Sequence, residues 1–147
     1  MDGHRLSRRA GLALLAGALS RPALASGTLT FDTLYGPPTA SGVALSPAAQ
    51  ALVGDIVTLR GFMAPPLKPE LSMFVLTRYP MSTCPFCSSA ADWPLDIVVA
   101  FLRRAAEPVP PSQAIAVTGT LDSGVKFDAD TGFISLVRLL DAVWRPA

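Results

Sequence analysis

The sequence predicts a mainly β protein: a small five-stranded antiparallel barrel of the oligonucleotide/oligosaccharide-binding (OB) type, with a short N-terminal helix. Three observations carry this expectation. From Asp55 onward, runs rich in β-branched and aromatic residues alternate with Gly, Pro, Asp and Ser, the signature of several short strands. Most of the connections are too short to hold the crossover helix that parallel neighbours require, so consecutive runs should pair antiparallel. Five such runs in a chain of single-domain length suit a partly open barrel, with a small β-sandwich as the alternative.

Residues 1–25 read as a cleavable signal peptide. Arg5, Arg8 and Arg9 form a cationic start, 11–19 is apolar, and Ala23-Leu24-Ala25 is a small-residue cleavage site. The apolar stretch is far short of the roughly 20 residues that cross a membrane, so no stable anchor is expected after cleavage. The run Ser7-Arg8-Arg9-Ala10-Gly11-Leu12 matches a twin-arginine signal except at Gly11, where a bulky apolar residue is usual; general secretion is the other route. Either route places the mature chain, starting near Ser26, in the periplasm or otherwise outside the cytoplasm.

Removing the leader from the 147 residues leaves 122, enough for one domain with one core. The leader takes four of the twelve basic residues and one of the eleven acidic ones, so the mature chain has a formal charge of −2. Its charges are scattered except for Arg103-Arg104, a solvated strand end or turn, so no basic footprint marks a nucleic-acid binder. The single histidine, His4, lies in the leader, which excludes imidazole chemistry from the mature domain.

The segment 26–45 is an irregular lead-in with one edge strand at most, and 46–147 forms the β-rich domain. Ser46 suits a helix N-cap, Pro47 the first helical position, 48–53 favour helix, and Gly54 stands where a helix ends. The five strands are expected at about 55–63, 72–79, 95–102, 114–121 and 133–143. In the fourth, Ile115, Val117 and Leu121 share one parity and Thr118 and Thr120 the other, as in a strand with one buried face. In the fifth, Leu136, Leu139, Leu140 and Val143 also fit a helical period. Asp122-Ser123-Gly124 reads as a turn. So does Asp128-Ala129-Asp130-Thr131-Gly132, which lacks the ligand spacing and closing glutamate of a calcium loop. Met63, Met73, Phe62, Phe74 and Phe101 read as core.

The chemistry concentrates at Cys84 and Cys87, the only cysteines, in the loop Cys84-Pro85-Phe86-Cys87. Three uses remain open. A disulfide would persist outside the cytoplasm, but a ring this short constrains the unfolded chain by only about 2 kcal/mol. Thiol–disulfide exchange, with Cys84 attacking and Cys87 resolving, would match the thioredoxin spacing, but Trp93-Pro94 cuts off the helix that lowers the thiol pKa. Metal binding would draw on Met81, Cys84 and Cys87 as soft ligands for zinc or copper, with Asp92 as a harder oxygen donor. Trp93 stands beside the loop as a lid. Ser82, Ser88 and Ser89 have no histidine base to activate them, so no catalytic residue is assigned.

The stretch Gly54-Asp55-Ile56-Val57-Thr58-Leu59-Arg60-Gly61-Phe62-Met63-Ala64-Pro65, the strand Phe74-Val75-Leu76, the cysteine loop and Val117-Thr118-Gly119-Thr120-Leu121 together resemble a family of uncharacterised exported bacterial proteins with a Gly-Phe-Met-x-Pro signature. The likeness spans about residues 50–143. It implies an OB-like domain in a metal-handling or transporter-associated system, with a membrane transporter or another periplasmic protein as partner. Where that family would carry a His- and Pro-rich loop, this chain has its cysteine loop.

Overall fold

The computed structural model describes residues 27–66, 71–82, 94–130 and 132–147. The expected signal peptide, and with it the cleavage site, lies outside these residues. Among those described, no helix is long and apolar enough to cross a membrane.

The chain is mainly β, in one mixed six-stranded sheet: β1 (Gly27–Leu29), β2 (Ile56–Met63), β3 (Leu71–Thr77), β4 (Ile97–Ala106), β5 (Ala114–Asp128) and β6 (Phe133–Pro146). Two single-turn helices, α1 (Phe31–Leu34) and α2 (Pro47–Gln50), lie between β1 and β2. The strand order is β1-β2-β3-β4-β6-β5, and β2 also pairs with β5, so β2 to β6 form a closed circuit of pairings.

Two features depart from the five-stranded antiparallel expectation. The lead-in supplies a sixth strand, β1, parallel to β2 with Gly27 opposite Val57 and Leu29 opposite Leu59. It lies beside the first half of β2, whereas β3 pairs with β2 only at Phe62 and Met63. In addition, β6 runs parallel to β4, Val99 opposite Arg138. Short connections constrain only consecutive strands. β5 reverses the chain once after β4, the turn into β6 reverses it again, and β6 therefore returns parallel to β4 without any crossover helix.

Alternation decides what faces inward. On β2, Val57, Leu59, Gly61 and Met63 are buried; on β5, Ile115, Val117 and Leu121. Thr58 and Thr118 face each other across the ladder, hydroxyl oxygens 2.7 Å apart. The main core gathers these residues with Phe74, Leu76, Val98, Ala100, Val137 and Leu139, roofed by Leu29, Phe31, Leu34 and Tyr35 from the lead-in. Burying each large apolar side chain contributes about 1.5–3 kcal/mol. β3 and β4 are also buried on their other face, where Met73, Val75, Ile97 and Val99 join Ala64 in a second cluster flanked by Phe101 and Phe133. Met63, Met73 and Phe74 are thus core residues as expected, while Phe62 and Phe101 are only half-buried.

The helix expected after Ser46 is present but stops at Gln50; turns carry the chain to Gly54, whose φ of +92° ends it. The last run is a strand rather than a helix, with Leu139 buried and Val143 exposed. Asp122-Ser123-Gly124 is not a turn. β5 continues through it with a bulge, Gly124 at φ +111°, because Asp122 stays paired with Arg138 and the ladder resumes at Lys126. The turn expected at 128–132 does close the β5–β6 hairpin, the Gly132 amide donating to the Asp128 carbonyl over 2.8 Å.

Candidate functional site

The loop that bears both cysteines leaves the sheet between β3 and β4, antiparallel neighbours. Its neck is closed. Thr77 pairs with Ile97, and the Arg78 amide donates to the Asp96 carbonyl at 2.9 Å. Buried Thr77 sets its hydroxyl 2.7 Å from the Tyr79 carbonyl and 3.2 Å from that of Phe62, tying the neck to β2. The Tyr35 hydroxyl donates to the Ile97 carbonyl at 2.5 Å, bringing the lead-in against the same neck.

Arg78 is the neck's electrostatic clamp. Its guanidinium donates to Asp32 on α1, lies 3.9 Å from the Asp96 carboxylate and stacks 5.2 Å from the centre of the Tyr79 ring. One cation thereby joins the end of β3, the start of β4 and the lead-in. Met81 follows, half-buried, four residues beyond the end of β3. Of the sequence-predicted ligands it alone falls among the described residues; Cys84, Cys87 and Asp92 lie outside them, as does Trp93. Among the described residues, no group of three or more His, Cys, Asp or Glu side chains could hold a metal ion.

A second feature is a cleft of about 240 Å³ between the lead-in and the β5–β6 hairpin. Tyr35, Val43 and Leu45 form one wall, and Val125, Leu136 and Val137 the other. Gly124 also lines it, but its carbonyl is engaged: buried Arg138 donates Nη1 to it at 2.8 Å and to Ser135, and holds Asp122 through Nε and Nη2, both 2.7 Å. Gln50 and Ser123 add polar groups to the cleft. The lining suits an apolar group and offers no nucleophile–base pair. At the far end of β4, exposed Arg103 grips Asp141 through two hydrogen bonds, which raises the Arg103 pKa and lowers that of Asp141.

Sequence reasoning misses Arg78, Tyr35 and Arg138. Only Arg138 leaves a local signal, a lone cation inside Leu136-Val137-Arg138-Leu139-Leu140, where a strand can bury it only beside a carboxylate. Arg78 and Tyr35 act on partners distant in sequence.

Comparison with known protein families and with curated proteins returns no match to this chain. Among solved structures, a DUF3299 family protein from Pseudomonas aeruginosa PAO1 is similar, with a TM-score of 0.53 over 84% of this chain and 97% of that one, at 16% identity. At that identity the likeness is one of fold.

Proposed function

We propose that this chain is an exported, non-enzymatic binding module of the periplasm, cleaved near Ser26, whose cysteine loop holds a soft metal ion. In this reading β2 to β6 form an OB-like barrel, and the ligands are Met81, Cys84, Cys87 and Asp92, taking zinc or copper. A membrane transporter or another periplasmic protein is the partner that receives or positions the module.

The supporting observation is the clamped neck. A loop that presents ligands reproducibly needs fixed ends, and this one leaves antiparallel strands locked by the Thr77–Ile97 pair, the Arg78 ion pairs and the Tyr35 hydroxyl. The fixed ends reduce the conformational entropy lost when the loop closes on an ion. Thiol–disulfide exchange draws less support, because β3 and β4 are antiparallel neighbours, whereas strands joined by a crossover helix run parallel.

Metal analysis of protein purified under reducing conditions tests the proposal. About one zinc or copper per chain is expected, lost in Cys84→Ser and in Cys87→Ser and weakened in Met81→Leu or Asp92→Asn. Absence of bound metal at micromolar supply would overturn it.

A further inference from the structure

We propose that the cleft between the lead-in and the β5–β6 hairpin binds a small neutral amphiphile, an acyl or aryl body of about nine heavy atoms ending in an uncharged amide or hydroxyl head. Protein interiors normally close-pack and leave few voids larger than a water molecule. This gap stays open because each wall is tied to its own side. On the lead-in side, Tyr35 and Leu45 form a β-bridge, the Gly36 amide donates to the Ala44 carbonyl at 3.0 Å, and the Ser46 amide donates to the Leu34 carbonyl at 2.9 Å. On the hairpin side, Arg138 holds the Gly124 carbonyl at 2.8 Å and the Ser135 carbonyl at 3.1 Å, which fixes the bulge between Ser123 and Lys126. The space of about 240 Å³ therefore persists between two anchored surfaces. Bulges of this kind are frequent beside binding sites.

The lining selects the ligand. Val43, Leu45, Val125, Leu136 and Val137 present hydrocarbon, and Val125, 77% exposed, leaves apolar surface that a ligand would cover. An apolar cavity of about 150 Å³ takes a benzene-sized molecule, so this one takes about nine heavy atoms. Two polar side chains line the same space, Gln50 at the end of α2 and Ser123 before the bulge. Neither side chain has a hydrogen-bond partner among the described residues. An amide and a hydroxyl each donate and accept, which matches a head group that does both. A charged head finds no counterion. No Asp, Glu, Lys, Arg or His lines the cleft, and the Arg138 guanidinium bonded to Gly124 is already committed to Asp122 and Ser135 as well. Burying a carboxylate or ammonium unpaired is far costlier than burying a neutral head that keeps its hydrogen bonds. Apolar walls with a few convergent polar groups are the usual make-up of a small-molecule site.

None of these residues belongs to the cysteine loop, so the test reads independently of the proposed metal site. Isotopically labelled protein is titrated, with chelator present, against heptanamide and against heptanoate, a charged probe of equal size, and followed by NMR. Heptanamide at about millimolar concentration is expected to shift the Val43, Leu45, Val125 and Leu136 signals saturably. Heptanoate should bind about tenfold more weakly or not at all. Q50A and S123A should each weaken heptanamide about fivefold. Both should leave the binding of benzene, which has no head group, unchanged. V43W, which fills the cleft, should abolish binding of heptanamide and benzene alike. V125D, at an exposed position, should weaken both while leaving the thermal midpoint of the free protein unchanged. Shifts that fail to saturate, or that fall outside the cleft, would overturn the proposal. So would equal affinity for heptanoate, or heptanamide binding that neither V43W nor V125D reduces.

Discussion

Gly119 shows how closely two strands of this protein approach. A Cβ there would meet the Leu140 carbonyl oxygen at 2.8 Å and Ala142 Cα and Cβ at 3.2 Å. The cause lies across the ladder, where β6 carries an extra residue between Leu140 and Val143 and Asp141 takes a left-handed φ of 51°. Gly119→Ala is therefore expected to destabilise the fold by about 1–3 kcal/mol in chemical denaturation, since backbone rather than a flexible side chain must shift. Asp141 supplies a pH prediction. The Arg103 hydrogen bonds hold its carboxyl below the ordinary value of 3.8. A lowered folded-state pKa stabilises the fold above the unfolded pKa, and the contribution disappears as pH falls through the folded value. Asp141→Asn, which tolerates the same backbone, should be slightly less stable than wild type at neutral pH and low salt. That gap should close on acidification below the carboxylate range and shrink with added salt, because the pair is solvent-exposed. The strand through Gly119 is legible in the alternation of Val117, Thr118, Thr120 and Leu121. The need for glycine is not, because it arises from a bulge more than twenty residues later.

Among the elements, local chemistry reads most reliably where one residue decides. Ser46 caps α2, its Oγ accepting from the Ala49 amide at 3.1 Å, and Pro47 and Gly54 bracket the turns that follow. Less legible is the second bond of the same hydroxyl, donated to the Thr33 carbonyl at 2.6 Å, which fastens α2 to α1. Ser46→Ala loses both and should cost about 1–2 kcal/mol, read from thermal or denaturant unfolding; Ser46→Thr should retain much of that stability. The failure at Asp122-Ser123-Gly124 has the converse origin. These are turn-forming residues, but the buried Arg138 guanidinium claims the Asp122 carboxylate and the Gly124 carbonyl, and the strand continues through them with a bulge instead of turning back. A cation sixteen residues away overrides local turn preference.

At the scale of the molecule, the β content and the antiparallel order of consecutive strands are legible because they follow from composition and loop length. The parallel contacts, β1 with β2 and β4 with β6, are not, since each joins strands separated by other elements. The candidate site divides similarly. Its cysteines and Met81 stand out in the sequence, whereas the clamp around their loop draws on Asp32, Tyr35, Arg78 and Asp96 and becomes visible only when three distant segments meet.

The pairing of β2 with β5 also governs the order in which this protein can acquire its shape. β2 emerges early from the ribosome, but its ladder partner, with Thr58 opposite Thr118, follows sixty residues later. The strand that links β5 to β4, β6, is made after the other five. A nascent chain therefore exposes Val57, Leu59 and Met63 until β5 and β6 have been made, and pairings this remote in sequence slow folding. Ring closure in consequence waits for β6, and a chaperone that meets the chain beforehand meets an open sheet.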